Sequence, residues 1–127
     1  MEKQNVVVKA RTIYESYGIL RELASQKLNK ASYALFLALN IKVVEENFAE
    51  IEAKRVELIK RYGEGDSDGN VSVADENLEQ FSEEFLELMD SELTLGLYVF
   101  DGFKLDVLFS SISPEEILKI EYMVKHG

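Results

Sequence analysis

The densest set of potential ligand atoms lies between Gly63 and Asn70, in the run Gly-Glu-Gly-Asp-Ser-Asp-Gly-Asn. With Gly69 at the invariant glycine of a helix-loop-helix calcium site, Glu64, Asp66 and Asp68 take positions one, three and five. Val71 then falls at the apolar eighth position and Asp75 at the twelfth. Calcium takes roughly six to eight oxygens, and this spacing bends a short loop around them. Two residues depart from the pattern: the first position is Glu, and the twelfth is Asp, whose shorter arm is poorly suited to giving two oxygens. The same residues also suit an acidic turn between two helices, or a small hairpin bent at Asp68-Gly69. The candidate metal set is therefore Glu64, Asp66, Asp68 and Asp75, with calcium as the ion. No other cofactor is expected.

Other chemistries find little to work with. Cysteine is absent, which excludes thiolate nucleophiles, thiolate metal sites and disulfides. The single histidine, His126, is next to the last residue, where a Ser-His-Asp arrangement is improbable and paired Glu-x-x-His motifs are impossible. Among 24 acidic residues, chance carboxylate pairs are certain. Glu46 with Glu50, and Glu83 with Glu87, sit at four-residue spacing and read as solvated helix faces. The glycines lack the Gly-Lys-Ser/Thr ending of a phosphate loop. A non-enzymatic protein is expected.

The elements that carry these residues follow from periodicity. Asn5 to Ala10 reads as a short strand because its valines fit a pleated surface. Ile13, Tyr17, Leu20 and Ala24 recur at helical spacing, giving a helix from Thr12 to about Ser25, weakened by Gly18. Between Ala31 and Tyr62 neither proline nor glycine occurs. Leu37, Ile41, Val44, Phe48, Ile51, Leu58 and Tyr62 fall on alternating four- and three-residue steps, with Arg55 the one polar entry, a heptad seam. At ~1.5 Å per residue such a helix spans roughly 48 Å. A globule of this length is about 36 Å across. The helix must therefore overhang, break (Asn40 is the weakest place) or pair with another helix. The seam is accordingly the candidate interface.

Val71-Ser72-Val73 suggests a brief strand, and Asp75 or Asn77 a cap for a third helix striped by Leu78, Phe81, Phe85, Leu88 or Met89, and Leu93. Thr94 to Phe100 alternates as a strand, with Leu95, Leu97 and Val99 on one face and Tyr98 and Phe100 on the other. Asp101-Gly102 suits a hairpin turn. Phe103 to Val107 then reads either as the return strand or as the start of a helix. Ser113-Pro114-Glu115-Glu116 combines a serine cap, an early proline and a glutamate three residues on, a strong helix start; the last helix would carry Ile117, Ile120, Met123 and Val124. The expected fold is α+β and mostly helical: a long central helix packed with two or three shorter ones, plus a small antiparallel sheet or hairpin, in a single domain over residues 1–127.

The net charge is −10, and the basic residues do not cluster, so direct nucleic-acid binding is not expected. The apolar run Val6-Val7-Val8 is too short for a signal peptide, and no stretch approaches the ~20 apolar residues of a membrane span. A cytoplasmic location is expected, with a protein partner and a possible homo-oligomer, and without membrane contact.

Several of these segments together resemble a known family. They are Ile13-Tyr14-x-x-Tyr17-x-x-Leu20, Glu57-Leu58-Ile59-Lys60-Arg61-Tyr62, Asp68-Gly69-Asn70-Val71, Phe81-x-x-Glu84-Phe85-x-x-Leu88-Met89 and Glu92-Leu93-Thr94-Leu95. Their order resembles short phage and prophage proteins known as domain of unknown function 1617. The likeness covers most of the chain and departs most in Leu97 to Phe109. It implies a phage or prophage origin and a family turn at Asp68-Gly69, and it transfers no active site. The leading expectation is thus a protein-binding module of phage type, serving virion assembly or modulating a host protein. The alternatives are an acidic inhibitor of a host nucleic-acid enzyme or defence complex, and a calcium-binding regulatory domain.

Overall fold

A computed structural model describes residues 2–28, 30–65, 71–73, 75–102 and 112–125, with the backbone alone at 64, 65, 71 and 72. Strand β1 (Lys3–Lys9) runs antiparallel to β4 (Glu92–Tyr98), with Val6 opposite Leu95 and Val8 opposite Leu93. The period-two alternation points Val8, Leu95 and Leu97 into the core and leaves Val7 and Thr94 outside. Helix α1 (Ala10–Leu23) starts without a loop, two residues earlier than the spacing suggests. The Ala10 amide donates to the Ser91 carbonyl at 2.9 Å and so prolongs the ladder into the helix. The buried face of α1 is Ala10, Ile13, Ser16, Leu20 and Leu23. Ser16 therefore replaces Tyr17 on the expected stripe, and Ala24 is exposed. Gly18 faces open space.

Helix α2 (Ala31–Tyr62) is continuous, and Asn40 does not break it. Asn40 is fully buried, and its amide makes a two-point clamp on one residue of the sheet. Its Nδ2 donates to the Tyr98 carbonyl at 2.8 Å, while the Tyr98 amide donates to its Oδ1 at 2.8 Å. The side chain thus mimics a strand edge where β4 stops, which satisfies two backbone groups that burial would otherwise leave costly. Because the clamp ends β4 at Tyr98, the expected alternation fails one residue later. Phe100 is buried, edge-on to Tyr33 at 6.0 Å between ring centroids.

Strands β2 (Gly63–Gly65) and β3 (Val71–Val73) pair antiparallel, with Glu64 opposite Ser72. A single 3-10 turn (Asp75–Asn77) leads into α3 (Leu78–Asp90). Neither Asp75 nor Asn77 caps α3: no side-chain cap bond forms, and Asn77 Nδ2 instead donates to the Tyr62 carbonyl at 3.2 Å, closing the end of α2.

Strand β5 (Phe100–Asp101) pairs in parallel with β6 (Val124–Lys125). The expected hairpin turn at Asp101-Gly102 is thus corrected in part, since Asp101 lies in a strand that meets the carboxyl-terminal end. The expected return strand, Phe103 to Val107, lies outside the described residues. A Cβ on Gly102 would meet the Lys125 carbonyl oxygen at 3.0 Å, so glycine permits the close approach of β6. Helix α4 (Pro114–Lys119) has the expected capping box. Ser113 Oγ accepts from the Glu116 amide at 3.1 Å, and Glu116 Oε1 accepts from the Ser113 amide at 3.1 Å. The helix ends before Ile120, and a 3-10 turn (Glu121–Met123) then buries Met123. The architecture is α+β, mostly helical, with the core between α1, the first part of α2 and the β1–β4 sheet.

Candidate functional site

The seam residues mostly face their own chain. Leu37, Ile41, Val44 and Ile51 belong to the core, and Phe48 stacks on Tyr17 and Tyr14 at 4.1 and 5.4 Å between centroids. This corrects their assignment to an interface. A heptad seam asks only for an apolar surface opposite it, and α1 and β4 supply one. Leu58 and Tyr62 remain half-buried where α2 meets α3. Leu58 lines a slot there with Lys54, Arg61, Glu84 and Leu88.

The polar groups of that slot hold each other. Arg61 pairs with Glu57 at 3.3 Å, and its Nη1 lies 3.5 Å from Glu84 Oε2, close enough for ion pairing but without hydrogen-bond geometry. A hydrogen bond with Glu84 pushes the Tyr62 phenol above its ordinary range. Further back along α2, hydrogen bonds from Arg55 hold Glu52 below the usual carboxylate range, the closest at 2.5 Å. On the far side of the core, burial pushes the Tyr122 phenol up to about 12, while its hydroxyl meets Ser16 Oγ at 2.8 Å. Among the described residues, the shifted groups Glu52, Tyr62 and Tyr122 each lie against a named neighbour, Arg55, Glu84 and Ser16.

Of the candidate calcium ligands, Asp66 and Asp68 lie outside the described residues, as does the Glu64 side chain. Asp75 is exposed at the first residue of its 3-10 turn. The hairpin reading of this loop has its two strands in β2 and β3. His126 also lies outside the described residues.

The surface of α3 combines carboxylates with an exposed leucine. From Asp75 to Glu92 there are eight acidic residues and no basic one, within a chain of net charge −10. Glu79, Glu83 and Glu87 are exposed and form no ion pair among the described residues. Leu86 lies among them, 55% exposed. Beside it, α1 and α3 enclose a groove of about 260 Å³ lined by Arg11, Tyr14, Glu15, Phe85, Leu86 and Met89. At its rim Arg11 Nη2 donates to Asp90 at 2.6 Å, while Arg11 Nε is buried without an acceptor. Helical spacing alone assigns Leu86 to the wet face and draws no attention to it. The available signal was a leucine three residues after Glu83 and four before Asp90, an apolar residue ringed by acids.

No helix among the described residues is long and apolar enough to cross a membrane. Comparison of the chain with family models, with curated proteins and with solved structures finds no match.

Proposed function

We propose that the protein is a non-enzymatic protein-binding module of phage or prophage type, acting in the host cytoplasm as an assembly accessory or as a modulator of a host protein. The observation that carries this reading is Leu86, an exposed leucine set in carboxylates beside an apolar groove. Scattered surface leucines need no explanation, but one that continues into a groove marks an interaction site. The buried heptad seam supports a heterologous partner over a coiled-coil homo-oligomer, because its apolar residues are already used.

A second reading, the acidic inhibitor of a host nucleic-acid enzyme or defence complex, is favoured by the eight acids between Asp75 and Glu92. Such a surface steers basic proteins and repels nucleic acid. Site-specific photo-crosslinking tests the common core of both readings. A crosslinker at position 86 should capture a discrete protein from host or lysogen lysate, and one at position 46 should not. If neither position captures anything and the purified chain is monomeric, protein binding is abandoned.

A further inference from the structure

We infer that the groove between α1 and α3 receives a cationic segment of another protein that carries one large apolar side chain. The inference rests on the protein-binding reading and names the chemistry of the partner.

The groove floor and walls are Tyr14, Phe85, Leu86 and Met89, with room for one large aliphatic or aromatic side chain. Aromatic and thioether surfaces adapt to such an anchor and gain most of their affinity by burying it. Glu15 lines the groove from α1. On α3, Glu83 and Glu87 are exposed on either side of Leu86 in the chain, with Glu87 also lining the slot that α3 forms with α2.

No ion pair among the described residues uses Glu79, Glu83 or Glu87. Glu79, Glu83 and Glu87 stand at successive four-residue steps, where like charges destabilise a helix by about 0.2–0.5 kcal/mol per pair. Glu87 and Asp90 lie in the last turn of α3, where the helix dipole disfavours anions, and no basic residue of α3 offsets them. Lys9 and Arg11 reach Asp90 from outside the helix. Nothing among the described residues reaches Glu83 or Glu87 with an ion pair. A partner bearing Lys or Arg relieves a repulsion the isolated chain must carry, and it does so at the rim, where charge sets orientation and on-rate.

A second copy of this chain is a poor occupant, because its net charge of −10 opposes its approach.

The probe is a synthetic amphipathic helix of about 14 residues, long enough for four turns, with lysines flanking one leucine face. Binding is followed by fluorescence anisotropy at two salt concentrations, with helicity of every variant checked by circular dichroism. Glu83→Lys with Glu87→Lys should weaken binding about tenfold, and more salt should do the same to the wild type. The charge-matched Glu46→Lys with Glu50→Lys, on α2, should change it less than about twofold. Replacing the central leucine of the peptide by serine should cost about tenfold at unchanged charge, as should Leu86→Ser in the protein.

Equal weakening by the two charge-reversed pairs would show attraction to the whole acidic surface and overturn the inference. So would a serine peptide that binds as well as the leucine peptide, or no binding of either. If the probe fails while the crosslinker at position 86 still captures a protein, the partner's assigned chemistry is wrong and the protein-binding reading stands.

Discussion

Between Tyr33 and Ile51, α2 buries six residues, whereas between Glu52 and Tyr62 it buries none. The heptad spacing runs through both stretches, so the pattern is shared and the surroundings differ. The first stretch meets α1, β4 and the carboxyl-terminal turn, with Phe36 against Tyr98 and Asn40 clamping the sheet. The second meets α3 and the short β2–β3 hairpin, and among the described residues one ion pair, Arg61 with Glu84, and the Asn77 bond to Tyr62 join it to its neighbours. Exposed ion pairs contribute little, and buried apolar area contributes most. One half of a single helix is therefore structural, and the other is a loosely held arm that supports α3 and its acidic face.

Asn40 gives the largest expected effect and would break the comparison if it failed. Asn40→Leu keeps the branched shape but leaves the amide and carbonyl of Tyr98 without their partner. Unsatisfied buried groups cost about 1–3 kcal/mol each, so a loss of roughly 3–5 kcal/mol is expected in urea titration. A loss below about 1 kcal/mol would mean that the first half does not depend on the clamp.

Next comes the pair Leu37→Ala and Leu58→Ala, the same deletion on the two halves of one seam. Leu37 is buried, and its truncation should cost about 2–5 kcal/mol. Leu58 is half-buried at the edge of an open slot, which collapses readily, so about 1 kcal/mol or less is expected. Native-state hydrogen exchange sharpens the contrast: amides after Glu52 should open locally, whereas those around Val44 should exchange only with global unfolding.

Much of this fold can be read from its residues, and the failures have physical reasons. The α4 start is legible because Ser113, Pro114 and Glu116 are a local chemical device that needs nothing else. The length of α2 is legible because no residue in it opposes a helix. The partner of its seam is not, because periodicity says which face is apolar and nothing of what covers it. Ser16 is another failure. A serine reads as surface, yet here it is buried because Tyr122, far along the chain, supplies its hydrogen bond. The parallel pairing of β5 with β6 is equally non-local. Of the candidate site, the acids were plain to see, whereas the groove exists only once α1 and α3 meet.

The Ser16–Tyr122 contact supplies the third prediction, on the buried side of the molecule. In an unfolded chain a tyrosine ionises near its ordinary value of 10, whereas Tyr122 holds its proton to about 12. Between those values the unfolded state binds fewer protons, so stability is complete below pH 10 and falls as pH rises toward 12. The loss is on the order of 2–3 kcal/mol. Tyr122→Phe should flatten that part of the stability–pH curve, as measured by urea titration at each pH. Tyr62 is also raised, but it sits on the exposed arm, where solvent screens its contact with Glu84. Tyr62→Phe should leave the curve unchanged. A flat wild-type curve would place Tyr122 in water.

The smallest expected effect is a gain. Gly18 sits inside α1 with nothing near the position of a Cβ, so alanine fits without strain. Glycine in a helix interior costs about 0.5–1 kcal/mol relative to alanine, mainly by enlarging the conformational freedom of the unfolded chain. Gly18→Ala should therefore raise the urea midpoint with an unchanged slope. Because α1 packs on the first half of α2, the gain should appear in global unfolding and in the protection of amides around Val44. It should leave the local opening of amides after Glu52 where it was, since that opening does not require α1 to come apart. Equal protection of both stretches would show that the arm unfolds with the core, and the division between the halves of α2 would be lost.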